Sequence, residues 1–71
     1  MNELNTVIDG YSVCLMIDSD TTQCYIEKGH ASGSLDLALD QGILSTDDGG
    51  DVHISPKVVD KIEAWAVSHG Y

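Results

Sequence analysis

Apolar and polar positions alternate through the first part of the chain. Thr6-Val7-Ile8 leads into Asp9-Gly10, a dipeptide suited to a tight hairpin turn. Beyond it, Tyr11, Val13, Leu15 and Ile17 fall on one parity and Ser12, Cys14 and Met16 on the other. The polar group Asp18-Ser19-Asp20-Thr21 interrupts the pattern, and Thr22 to Lys28 resumes it with Cys24 and Ile26 on one face. Residues 5–28 therefore read as strand. The register of the second hairpin follows from the same parity. With Ile17 opposite Thr22, Leu15 meets Cys24 and Val13 meets Ile26, apolar against apolar. A shift of one residue would pair Leu15 with Gln23. The preferred register puts Cys14 and Cys24 on opposite faces, so both are expected as free thiols.

Gly29-His30-Ala31-Ser32-Gly33 reads as a breaker segment. A short helix is expected from Ser34 to Gln41. Ser34 would be its N-cap, Asp36 would complement the dipole, and Gly42 would take the left-handed position after its end. Leu35, Ala38 and Leu39 would form its inner face, flanked by Leu37. Ile43-Leu44 are expected in the core, Ser45 to Asp51 in a loop, and Val52-His53-Ile54 in a short strand. The pattern then changes to helical spacing. Ser55 is placed to cap and Pro56 to stand at the first helical position, where its missing N–H costs nothing. Val58, Val59, Ile62, Trp65 and Ala66 form one apolar stripe, and Gly70 is placed to end the helix. The expected fold is α+β: a small antiparallel sheet of three or four strands with two helices packed on one face.

Seventy-one residues make a single domain, residues 1–71, with a small core. A hydrophobic content of 42% is too high for an acidic disordered tail. The longest apolar run, Val13 to Ile17, is far too short to span a membrane. Met1-Asn2-Glu3-Leu4-Asn5 lacks the positive start of a secretion signal, so a cytoplasmic setting is expected.

Charge changes the picture most. Twelve acids face three lysines, there is no arginine, and the net charge is −9. Such a chain is not expected to bind DNA, RNA or anionic membranes directly, because neutralising phosphates takes Lys and Arg. It suits a basic protein surface and a fast, salt-sensitive encounter. The bland alternative is a solvated surface that keeps the protein soluble. The excess is uneven: residues 1–56 hold ten acids and one lysine, residues 57–71 two of each.

Catalytic arrangements are lacking. No Gly-x-Ser-x-Gly is present, His30, His53 and His69 are scattered, and neither cysteine has a positive neighbour in sequence. Asp18-x-Asp20 and Asp47-Asp48-Gly49-Gly50-Asp51 resemble oxygen-ligand loops superficially. A calcium loop of the EF-hand kind needs Gly at its sixth position and Glu at its twelfth. Those positions hold Gln23 and Gly29 from the first start, and Val52 and Val58 from the second. No enzyme activity, metal or cofactor is expected.

The acids are the better lead. On a helix, Asp36 and Asp40 would project from neighbouring turns of one face, about 5–6 Å apart, a spacing comparable to phosphates along a nucleic-acid strand. Asp47, Asp48 and Asp51 would extend that surface into the next loop. Asp18 and Asp20 add a cluster at a hairpin tip. Trp65 is expected in the core, and Tyr11 and Tyr71 are candidates for exposed anchors.

The stretch from Ala38-Leu39-Asp40-Gln41-Gly42 through Ile54-Ser55-Pro56-Lys57-Val58-Val59-Asp60-Lys61 to Ala64 resembles in layout a family of small phage-encoded anti-CRISPR proteins, inhibitors of type I CRISPR effectors. In that family an acidic short helix ending in Gly precedes a Ser/Pro-started, valine-rich helix. The resemblance implies a non-enzymatic inhibitor that occupies the positive groove where an effector subunit reads target DNA. Asp36, Asp40, Asp47, Asp48 and Asp51 would stand in for phosphates there. The competing reading is a small interaction module, such as an accessory protein or antitoxin, whose interface is apolar.

Overall fold

The computed structural model describes residues 2–71. Six strands run in chain order: β1 (Asn2–Ile8), β2 (Tyr11–Ile17), β3 (Thr22–Lys28), β4 (Ala31–Ser34), β5 (Ile43–Thr46) and β6 (Asp51–His53). Each pairs antiparallel with the next, so β1 and β6 form the two edges of a single meander. One α-helix follows, α1 (Pro56–Ser68). The class is α+β as expected, but the sheet has six strands rather than three or four, and one helix rather than two.

The first hairpins follow their local chemistry. Asp9 and Gly10 both sit at positive φ, 50° and 87°, as the tight turns that match strand twist require. Ile17 pairs with Thr22, Leu15 with Cys24 and Val13 with Ile26, the register that apolar parity selects. Cys24 faces the core and Cys14 the opposite side, and both are free thiols.

The expected helix from Ser34 to Gln41 does not form. Ser34 is instead the last residue of β4, opposite Tyr25, and the Leu35 N–H donates to the Cys24 carbonyl. The chain then makes one turn, with Ala38 N–H to the Ser34 carbonyl, and a short 3-10 turn at Leu39–Gln41. Gly42 closes it at φ 68°, and its N–H donates to the Leu39 carbonyl. Eight residues are too few to make a stable helix by local bonds alone, while strand pairing satisfies the backbone of residues 31–34 at once. The apolar anchors keep their roles all the same: Leu35 and Leu39 are buried, and Leu37 is exposed. The supposed breaker shrinks to the Gly29-His30 turn, because Ala31 to Ser34 are strand.

Helix α1 starts and ends as its sequence requires. The Ser55 hydroxyl accepts from the Val58 N–H, and Pro56 holds the first helical position. Ile62 and Ala66 are fully buried, with Val58, Val59 and Trp65 packed beside them. The first turn of α1 lies by Leu39, Gly42 and Ile54, Lys61 reaches Asp9 in the β1–β2 turn, and Gly70 stands close to Ile17. The helix thus crosses the inner face of the sheet, where Val13, Leu15, Ile26 and Leu44 complete the core. Tyr11 is part of that core rather than an exposed anchor, with the Lys28 ammonium 4.6 Å from its ring centre.

Candidate functional site

All seven aspartates singled out in the sequence are exposed, and the meander separates them. Successive connections fall at alternate ends of an antiparallel sheet. The β2–β3 turn with Asp18 and Asp20 and the β4–β5 connection with Asp36 and Asp40 share one end. The β5–β6 turn with Asp47 and Asp48 lies at the other. Asp51 follows that turn as the first residue of β6, opposite Ser45. A single acidic surface running from Asp36 through Asp40 to Asp51 is therefore not built, and the helix face meant to align Asp36 with Asp40 is absent.

Several of these carboxylates serve local structure. Asp18 accepts from the Ser19 N–H at 2.7 Å. Asp48 accepts from the Thr46 hydroxyl and the Gly50 N–H, and these bonds hold its carboxyl below the usual range. Asp36 accepts from the Tyr71 hydroxyl, which ties the segment after α1 to the β4–β5 connection.

That last bond has a measurable signature. Donation to Asp36, followed by burial, pushes the Tyr71 hydroxyl up to about 12 from an ordinary 10.0. The neutral phenol is the bonded form. Its stabilising contribution is complete below the unfolded value near pH 10 and is lost as pH rises towards 12. A spectrophotometric titration of tyrosinate should show a late step, near pH 12, from Tyr71. Tyr71→Phe should remove that step and Asp36→Asn should move it back towards 10; a late step surviving both would show that the bond is not its cause.

The face of the sheet away from α1 carries the arrangement that the aspartate clusters do not explain. Side chains directly opposite in register share a face. Glu27 lies opposite Ser32, Ser32 opposite Ser45, and Ser45 opposite Asp51. These four form a row across β3, β4, β5 and β6 with a carboxylate at each end and two serines between. In the neighbouring row Tyr25 lies opposite Ser34, and Ile43 opposite His53. Small serines leave space between these larger groups, and a groove of about 620 Å³ runs along the row, rimmed by the exposed Leu37. Tyr25 is half-exposed, and its hydroxyl donates to Gln23 Oε1 at 2.6 Å, leaning the ring along β3.

Glu27 and Tyr25 were not singled out in the sequence, although parity contained the signal. With Cys24 and Ile26 inside, Gln23, Tyr25 and Glu27 must face out. What parity in one hairpin could not supply was Asp51 in the same row, three strands away.

No lysine lies on this face. Lys28 covers Tyr11 on the other side, Lys57 belongs to α1, and Lys61 bonds Asp9 at 2.8 Å. That pair is the only salt bridge among the described residues. Burial pushes the Cys24 thiol up to about 11, and burial together with the Glu3 carboxylate raises that of Cys14. Neither thiol has the depressed pKa of an activated nucleophile. Among the described residues no three potential metal ligands cluster, and no helix is long and apolar enough to cross a membrane. Comparison with known proteins finds no matching family model, and neither a curated protein nor a solved structure that resembles this chain.

Proposed function

We propose that this protein is a non-enzymatic binding protein whose acidic surface occupies a positively charged, nucleic-acid-binding groove of a partner protein. The observation that carries this reading is the uncompensated charge: twelve acids, three lysines and one salt bridge among the described residues. Self-repulsion of this size opposes folding, and a cationic partner relieves it. The contact is carboxylate to guanidinium or ammonium, and it competes with phosphate for the same groove. It does not depend on a helical ladder of aspartates, since Asp36 and Asp40 share no helix. The resemblance to the anti-CRISPR inhibitors makes a type I CRISPR effector in the bacterial cytoplasm the first partner to try.

The test is capture of such an effector from a bacterial lysate on the immobilised protein, followed by stepwise salt elution. The expected result is an effector that binds at low salt, is released as screening rises, and is displaced by its target DNA. Recovery of nothing basic would overturn the reading.

A second reading has its own support. Val7, Leu37 and Val67 are largely exposed, and β1 presents an unpaired edge seven residues long without proline or lysine. An interaction module using those features would hold its partner through high salt, so the same elution separates the two readings.

A further inference from the structure

We propose that the groove on the open face of the sheet is the docking surface, and that its occupant is an extended, arginine-bearing segment of the partner protein. Glu27 and Asp51 receive one guanidinium each at the two ends of the row. This rests on the reading of the protein as a binder of basic partners, and it says which surface binds and what that surface recognises.

Neighbouring strands lie about 4.8 Å apart, so the three steps from Glu27 to Asp51 span about 14 Å. An extended chain rises about 3.3 Å per residue, so residues four apart span about 13 Å. Side chains at i and i+4 also point to the same side of an extended segment. A segment crossing from β3 to β6 therefore presents two side chains to the two carboxylates at once. Its i+2 side chain falls over Ser32 and Ser45, where the row is lowest.

Chemistry selects the residue type. Each end offers a carboxylate, which a planar guanidinium can grip with two hydrogen bonds, while an ammonium meets it as a point charge. At the Glu27 end the neighbour along β3 is Tyr25, whose exposed ring offers a face to a stacked guanidinium. The serine hydroxyls between supply donors and acceptors to the crossing backbone. Nothing on the face competes as a strong cation, because all three lysines lie elsewhere and His53 is its only basic side chain. The aspartates at the two ends of the sheet lack this combination of groove, aromatic ring and paired carboxylates at fixed separation.

The probe is an eleven-residue peptide of serine and alanine with arginines at positions 4 and 8, added to the isotopically labelled protein at low salt. Amide shifts should move at Tyr25, Ser32 and Ser45. Glu27→Gln combined with Asp51→Asn preserves shape and should weaken binding about tenfold or more. Placing the second arginine at position 5 should weaken it comparably. Shifts confined to residues 18–20 or 47–48, unchanged affinity in the double variant, or no binding would each overturn the proposal. Failure here is distinguishable from failure of the broader reading. If the double variant still captures a basic partner with full salt sensitivity, the docking surface lies elsewhere and the function stands; if the unmodified protein captures none, the function itself falls.

Discussion

Replacing Ile62 by alanine should cost about 3 kcal/mol, within the usual range for truncating a fully buried isoleucine. Ile62 is fully buried at the middle of the only α-helix among the described residues, over a core that includes Val13, Leu15, Ile26 and Leu44. A domain of this length has a total stability of roughly 4–10 kcal/mol. The substitution therefore removes a large share of it, and at the lower end of that range leaves about 1 kcal/mol, with roughly 15% of the molecules unfolded at equilibrium. With a urea dependence of about 1 kcal/mol per molar, as small domains show, the midpoint should fall by about 3 M. Val67→Ala is the control. Val67 is 67% exposed on the same helix, and its truncation should change stability by less than about 0.5 kcal/mol. Equal effects of the two substitutions would mean that α1 is not seated on the sheet by its Ile62 face.

Gly33→Ala should be the second most damaging small change, for a reason specific to packing. Gly33 lies opposite Ile26 on the inner face of the sheet. A Cβ there would stand 2.5 Å from the Cβ of Ala38 and 2.9 Å from a methyl carbon of Leu44. The Leu44 methyl can swing aside, but Ala38 is fixed by its own backbone bond to Ser34. Overpacking of this kind costs about 1–3 kcal/mol. Ala38→Gly in the same chain removes the closer obstacle and should restore part of the loss. The double variant should therefore be more stable than the sum of the single effects predicts, with the coupling read from denaturation midpoints. A neutral Gly33→Ala, or an absence of coupling, would show that the β4–β5 connection does not fold back over β4.

Gly33→Ala and Ala38→Gly probe the longest segment where local pattern and final structure part; the loop expected over Ser45 to Asp51 also shrinks, because Ser45 and Thr46 end β5 and Asp51 begins β6. Leu35, Ala38 and Leu39 have helical spacing, and two of the three are buried as a helix would bury them. Yet a broad turn with a single 3-10 step satisfies the same anchors. The difference lies in the backbone: residues 31–34 find partners in β3 and β5, and neither pairing is written in the segment itself. The consequence for the site is direct. Without the helix, Asp36 and Asp40 lose their common face, and Asp36 receives the Tyr71 hydroxyl instead.

Whatever depends on near neighbours is legible in the chain: the turn at Asp9-Gly10, the register of β2 on β3, the capped start and buried stripe of α1, the two free thiols and the large acidic excess. Parity, turn conformation and caps act over a few residues, so their signals are complete within a short window. Long-range pairing, by contrast, sets that Ala31 to Ser34 join the sheet, that the aspartates divide between its two ends, and that Glu27 and Asp51 close one row. Those outcomes depend on which strand lies beside which, and residues 27 and 51 come into register only through the intervening pairings of β4 and β5.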